Sequence, residues 1–193
     1  APRPRPVAKE APAQPRTVVE SLDVTQGKLT MGLRTGCAVW SGDYPALLLA
    51  NAVFGGTTTS RLFLHVREKL SLCYYASSQL EKLKGVMLVS SGVEFSKVGQ
   101  AQDEILAQLQ ACKDGGFTDD ELEWARRSVV STLMTTLDAQ SRLEDYWLGQ
   151  AAAGLTEAPD ELAQRVERTT RAQVQAAAQK LALDTVYFLK GKE

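Results

Sequence analysis

The chain has 193 residues, of which 44% are hydrophobic and 23% are charged. These values are typical of a globular domain and exclude a disordered, collagen-like or membrane-spanning chain. A chain of this length can bury a core without the support of a metal or a disulfide. Because 22 Lys and Arg residues nearly balance 23 Asp and Glu residues, we expect neither nucleic acid nor a membrane surface as a partner.

Five of the seven prolines lie in the first sixteen residues, where they are interleaved with basic residues. Such proline density favours an extended chain and excludes a central strand. We therefore predict that residues 1–16 are a linker to a preceding segment and that residues 17–193 form a single domain. A proline-rich ligand for another protein is the alternative interpretation of the same residues.

The first part of the predicted domain, residues 18–35, has the period-two pattern of strands. Leu29, Met31 and Leu33 alternate with polar residues and predict a strand with one buried face. Residues 18–24 are predicted to be the strand that pairs with it.

Two short helices are predicted next. Asp43 is positioned to cap the first, which ends at Gly55-Gly56, and Ser60 is positioned to cap the second. The second helix is expected to bury three apolar residues spaced four apart: Leu62, Val66 and Leu70.

A hairpin and a series of helices are predicted in the second half of the chain. Two apolar stretches, 73–80 and 85–93, flank a polar turn and predict the hairpin. Thr118 with Glu121, and Thr170 with Gln173, have the spacing of capping boxes that begin helices. The first of these helices is expected to bury Leu122, Ala125, Val129, Leu133 and Leu137. Further elements are predicted as helices at 98–112, 141–153, 159–168 and 171–182, and as a strand at 185–190.

Paired strands separated by groups of helices predict an α+β fold. We expect a two-layer sandwich, with a mainly antiparallel sheet and helices packed on one face. The alternating strand and helix order of a doubly wound nucleotide-binding fold is absent from the pattern.

Candidate metal ligands are few. His65 is the only histidine, so an H-x-x-E-H motif cannot occur, and the three cysteines are widely spaced: Cys37, Cys73 and Cys112. Together these residues would number four ligands, but their spacing indicates no zinc site, disulfide framework or Cys-His nucleophile pair. We expect no metal or cofactor in this chain, a helix-surface role for His65, and a reducing, cytoplasmic location.

The loop from Gly55-Gly56 to Arg61 has two interpretations. Its glycines and the following helix start resemble an anion-binding loop, but the Lys-Ser/Thr ending of a phosphate loop is missing. We favour a tight connection between two helices, with Ser60 as a cap.

The segment 54–78 resembles the insulinase-type (M16) zinc metallopeptidases, which include the mitochondrial processing peptidases and pitrilysin relatives. Their second, metal-free homologous domain carries the run GG-x-x-S-S-R-L-F-x-x-V-R-E-K-x-x-L-x-Y. The matching residues are Gly55, Gly56, Ser60, Arg61, Leu62, Phe63, Val66, Arg67, Glu68, Lys69, Leu72 and Tyr74. The order of elements also resembles one half of such a peptidase, so the resemblance covers nearly all residues after the linker.

Two departures from the motif concern the end of the second helix. Ser71 stands where relatives usually have Gly, and Leu70 replaces a common basic residue. The tandem Tyr74-Tyr75 is most similar to a bacterial subgroup in which one protein of a pair has lost its metal motif.

The resemblance implies a role for two residues. In the family, the arginine and the tyrosine seven positions later reach toward the active site of the other half, and the motif assigns them here to Arg67 and Tyr74. This chain would then be the metal-free half of a zinc-dependent peptidase, forming a wall of the substrate chamber and binding substrate without catalysing hydrolysis alone. The implied partners are a homologous metal-binding half or paired subunit, which would hold zinc, and a peptide substrate.

Two other functions remain open at this point. One is a non-catalytic assembly or peptide-binding subunit in which both halves lack metal. The other is a phosphate-binding module built on Gly55-Gly56.

Overall fold

The computed structural model describes residues 10–192, which contain one sheet of five strands. The strands are β1 (Arg16–Leu22), β2 (Gly27–Arg34), β3 (Cys73–Glu81), β4 (Val86–Val93) and β5 (Ala182–Gly191). Their order in the sheet is β1-β5-β2-β4-β3. The β1–β5 pair is parallel, and the three other pairs are antiparallel.

The helices lie in two groups along the chain, one between β2 and β3 and the other between β4 and β5. They are α1 (Tyr44–Asn51), continued by the π-turn (Ala52–Gly56); the π-helix (Leu62–Lys69); α2 (Val98–Lys113); α3 (Asp119–Thr136); α4 (Gln140–Ala153); α5 (Pro159–Arg168); and α6 (Arg171–Gln179). A short 3₁₀ turn, Phe95–Lys97, precedes α2. None of the helices within residues 10–192 is long and apolar enough to cross a membrane.

The core lies between the sheet and the helices. Every second residue of β2 is buried, and Leu29, Met31 and Leu33 join one apolar cluster with residues of α1, α2, α5 and α6. The predicted α+β sandwich with a mainly antiparallel sheet is confirmed.

The predicted partner of the first strand is wrong. β5 lies between β1 and β2, so Val18 pairs with Tyr187, while Met31 pairs with Val186 from the other side. All seven residues of β1 are exposed. Without a buried face, its sequence carries no pattern that could specify a neighbour.

Two residues predicted to be buried are exposed. Leu62 and Val66 are fully buried, but Leu70 is 45% exposed. Leu70 follows Lys69, the last residue of the π-helix, and precedes Ser71 in the left-handed region. The chain has therefore left the helix at Leu70, which does not continue the buried face of Leu62 and Val66. Leu137 is 43% exposed because α3 buries Leu122 and Ala125 in its first half and continues beyond the core.

Asp43 precedes α1 but its side chain does not cap the helix. Its carboxylate instead accepts a hydrogen bond from Lys180 Nζ at 2.5 Å. Burial is the largest single influence and opposes ionisation of this carboxyl, but the hydrogen bonds from Lys180 and Cys37 together with the charge of Lys180 outweigh it and lower the pKa of Asp43 below its usual value.

The other predicted caps are confirmed. Thr118 Oγ1 accepts from Glu121 N at 3.1 Å, and Thr170 Oγ1 accepts from Gln173 N at 3.3 Å. Ser60 Oγ accepts a long bond from Phe63 N at 3.4 Å.

The helix predicted at 171–182 ends at Gln179, and β5 begins at Ala182. Most of the predicted linker, residues 1–9, lies outside the described residues. Residues 10–15 form neither helix nor strand, and β1 already begins at Arg16.

The π-helix ends at a residue in the left-handed region. Ser71 has φ 49°, its N–H donates to the Arg67 carbonyl, and the Leu72 N–H donates to the Val66 carbonyl. A residue with a Cβ pays about 1 kcal/mol or more in this conformation, which glycine adopts freely. The serine that replaces the family's usual glycine is therefore strained.

We expect Ser71→Gly to raise the free energy of unfolding by about 0.5 kcal/mol, since relief of strain exceeds the added chain entropy. Ser71→Val should lower it by more than about 1 kcal/mol. The control is Ser131→Gly on the exposed surface of α3, which should lower it by about 0.5 kcal/mol. Chemical denaturation measures the free energy of unfolding of all three variants. If Ser71→Gly and Ser131→Gly change it in the same direction, Ser71 is not strained.

Candidate functional site

An open groove runs beside the free edge of the sheet. Within residues 10–192, β3 pairs only with β4, so its other edge carries backbone N–H and C=O groups that no strand pairs with. The groove has a volume of about 700 Å³, and its walls are the edge of β3 from Tyr75 to Ser77, the π-turn, the loop 57–59, the π-helix and α3. We call it the edge groove.

The floor of the edge groove depends on a close contact at Gly55. A Cβ at this position would lie 2.6 Å from Leu62 Cδ1 and 2.9 Å from Ser78 N. Such distances are too short for any side chain. Ser78 Oγ also donates to Asn51 Oδ1 at 2.7 Å, which joins β3 to the end of α1.

This geometry supports the tight-connection interpretation of the loop after Gly55-Gly56. Gly56 packs against Asn51, where a Cβ would lie 2.6 Å from Nδ2. Arg61, the cation of the loop, donates to Glu121 Oε1 at 3.0 Å and to Gln108 Oε1 at 2.9 Å. Its guanidinium therefore hydrogen-bonds to side chains of α2 and α3 and does not bind an anion at the glycines.

We expect Gly55→Ala to lower the free energy of unfolding by about 2 kcal/mol, because the added methyl group must displace backbone of β3. Gly99→Ala is the matched control, since no atom lies within 4 Å of a Cβ there, and it should raise stability by up to about 1 kcal/mol. Denaturant titration of both variants is the measurement. A loss below about 0.5 kcal/mol for Gly55→Ala would show that the contact is not close.

Arg67 lies on the π-helix between two cavities. It lines the edge groove, and it also lines a smaller cavity of about 330 Å³, which we call the rim cavity. Its guanidinium stacks on Phe63, with 4.6 Å from Cζ to the ring centroid, and its Nε lies 3.4 Å from Glu68 Oε1. Arg67 thus forms the surface ion pair with Glu68 that an arginine without a special role would form. The contact with Phe63 restricts the conformations of its side chain further.

Tyr74 lies in β3 where the strand pairing is irregular. Cys73 pairs with Val93 and Tyr75 pairs with Gly92, so Tyr74 is the extra residue of a bulge. Bulges redirect side chains, and Tyr74 is 59% exposed. It lines the rim cavity together with Arg67, so the structure brings the two predicted site residues to one cavity; the edge groove is lined by Tyr75 instead.

The sequence did not lead us to predict that α3 forms one wall of the edge groove. Trp124 and Arg127 line the edge groove opposite Arg67. Their spacing of three residues places them on one face of α3, away from buried Leu122 and Ala125. An exposed tryptophan, 46% accessible, was the available signal, because large exposed aromatics mark contact surfaces.

The potential ligands of a metal remain apart. Within residues 10–192, no group of three or more His, Cys, Asp or Glu could hold an ion. Burial raises the pKa of the Cys37 and Cys112 thiols to about 12. Burial, followed by the charges of Arg61 and Lys69, lowers the pKa of His65, which keeps this imidazole neutral at pH 7.

Residues 10–192 thus form an α+β sandwich with an exposed strand edge beside a groove, and the potential metal ligands among them lie apart. The sequence model of the family described as peptidase M16 inactive domain matches residues 1–129, and the chain belongs to this family. The resemblance seen in the 54–78 segment is thereby confirmed.

Relatives agree with this assignment. The chain is 39% identical over 180 residues to a Bacillus subtilis (strain 168) protein named probable inactive metalloprotease YmfF; the match covers 93% of this chain and 42% of that protein. A conserved protein of Enterococcus faecalis V583 superposes with a TM-score of 0.88 at 27% identity, over 95% of this chain and 44% of its own. A protease from Helicobacter pylori shares the fold, with a TM-score of 0.81 at 22% identity, over 90% and 44% of the two chains. The chain thus spans less than half the length of each.

Proposed function

We propose that this domain forms one wall of a substrate chamber in a zinc-dependent peptidase, where it binds peptide while a homologous half holds the metal. The observation that carries the proposal is the free edge of β3 beside the edge groove. An extended peptide can add to a free strand edge through backbone hydrogen bonds and place alternate side chains in an adjacent groove. The groove volume of about 700 Å³ lies in the range of ligand sites.

Arg67 and Tyr74 are proposed as substrate-binding residues in the rim cavity, which shares Arg67 with the edge groove. The stack on Phe63 orients the Arg67 guanidinium, whose remaining N–H groups can donate to substrate carbonyls. The exposed Tyr74 phenol can donate to an oxyanion that develops on the substrate carbonyl. Both roles agree with the exposure of the two side chains in one cavity.

The zinc is proposed to lie in the other half. Hydrolysis needs an ion that polarises the carbonyl and activates water, with a carboxylate as general base. The single histidine of this chain cannot supply such a site. The relatives of more than twice this length leave room for a second domain of similar size.

The surface of α4 supports pairing with that half. Only Gln150 and Ala153 of this helix are buried, while Trp147 and Leu148 are 40% and 70% exposed. Exposed neighbouring apolar side chains of this size are typical of a contact surface. We propose that the homologous half covers them.

A second candidate function is a non-catalytic, peptide-binding subunit in an assembly whose other half also lacks zinc. The observation that favours it is the name of the relative at 39% identity, a probable inactive metalloprotease. The sequence of the remaining half separates the two candidates, because H-x-x-E-H is required for the first and absent in the second.

Tyr74→Phe tests the catalytic contribution, because it removes only the hydroxyl. In the complete protein, we expect turnover of a cleavable peptide to fall tenfold or more, while the free energy of unfolding changes by less than about 1 kcal/mol. Tyr187→Phe is the matched control: its hydroxyl donates to Glu20 on the far side of the sheet, and turnover should not change.

Arg67→Ala extends the same test, with a loss of turnover expected. Unchanged turnover in both Arg67→Ala and Tyr74→Phe would contradict the assignment. If the wild-type assembly does not cleave peptides, the affinity for peptide is compared in place of turnover.

We also predict that the chain holds no stoichiometric zinc. The protein is stripped with a chelator, reloaded with zinc, dialysed and analysed for metal by mass spectrometry. Well below one zinc per chain is expected, because tight binding needs several converging ligands. One tightly held zinc per chain would overturn the prediction and move the metal site into this half.

A further inference from the structure

The edge groove has a distinct charge. Among the described residues, the charged side chains that line it are two arginines, Arg67 from the π-helix and Arg127 from α3, and no carboxylate belongs to the lining. Each arginine is paired with a carboxylate of its own helix that lies outside the lining, Glu68 and Glu123 respectively. The charged groups of the lining are therefore all cationic.

Both arginines keep their terminal nitrogens available. Arg67 uses Nε to contact Glu68 at 3.4 Å, and Arg127 uses Nε to donate to Glu123 at 2.8 Å. Within the described residues, neither guanidinium has an acceptor bonded to its Nη atoms. The two Nη atoms of a guanidinium form the fork that binds a carboxylate through two parallel hydrogen bonds.

The rest of the lining suits an extended peptide better than a small ion. Trp124 and Phe63 provide apolar and aromatic surface, and Ser77 and Ser128 provide hydroxyls along the length of the groove. A peptide that pairs with the edge of β3 would place every second side chain toward this lining.

From these contacts we infer that the edge groove selects peptides that carry a carboxylate, which binds to Arg67 and Arg127. This inference rests on the proposed function and specifies its substrate class. The carboxylate can belong to an acidic side chain or to the C-terminus of the peptide. Both sources present the same planar group to the arginine forks.

The test measures fluorescence anisotropy of labelled eight-residue peptides bound to the complete protein. One pair differs only by Glu against Gln at the central position, with amidated C-termini. A further peptide carries the central Gln and a free C-terminal carboxylate. We expect at least one carboxylate peptide to bind tenfold tighter or more than the amidated Gln peptide, with a preference that weakens as salt rises. If the Glu peptide binds more tightly, the carboxylate is that of an acidic side chain; if the peptide with the free C-terminus does, it is the terminal carboxylate.

Arg127→Gln is the decisive variant. The side chain is 75% exposed, so the fold should persist, which a thermal melt confirms. The preference for the carboxylate peptide should fall below about threefold. Arg16→Gln, which changes an exposed arginine on β1 at the opposite edge of the sheet and outside the groove, should keep the full preference and so controls for net charge.

Three outcomes would overturn the inference. Equal affinity for all peptides would leave the proposed peptide-binding function standing and reject its acidic specificity. A preference that survives in both Arg127→Gln and Arg67→Gln would assign the selectivity to another surface. Absence of binding for every peptide would reject the inference together with the proposed function.

Discussion

The architecture of the site depends on one close contact, made by a residue that has no side chain, Gly55. At Gly55 the helix layer touches β3 so closely that a single methyl group would overlap the backbone of Ser78. This contact sets the distance between the π-turn and β3. The hydrogen bond between Ser78 and Asn51 sets the position of the end of α1 along the strand. The π-turn, the π-helix and α3 then line the groove beside the strand. The groove is therefore a consequence of how the core packs.

Elements whose signals are local were predictable from the sequence. The caps of α3 and α6 lie within four residues of their partners, so the pattern contains the whole interaction. The neighbour of β1 was not predictable, since the contact that marks it joins Glu20 to Tyr187, 167 positions away. The same distinction holds for the site. Arg67 belongs to a contiguous sequence motif. Arg127 lies at the groove only because α3 packs beside it, and the local sequence does not indicate this packing.

The exposed polar groups of the domain and its thiols have different surroundings. The guanidinium groups of Arg67 and Arg127 line the edge groove and the Tyr74 phenol lines the rim cavity, while the thiols of Cys37 and Cys112 are buried and protonated. Interactions of this kind can orient a substrate and stabilise charge on it, but cannot generate a nucleophile. Under the proposed function, this half selects the substrate and the homologous half cleaves the bond, so the residues of one role can change without disturbing those of the other.

The position of β5 sets the order in which the molecule can assemble. This strand is the last element of the described residues, yet it lies between β1 and β2 near the middle of the sheet. Of the described elements, β1 leaves the ribosome before the others, and its partner β5 emerges only after the helices that lie between them in the chain. Until then β1 is unpaired, and one edge of β2 is open to misplaced strands. The domain must therefore fold largely after its own synthesis, and nascent chains stalled before β5 should be targets for chaperones.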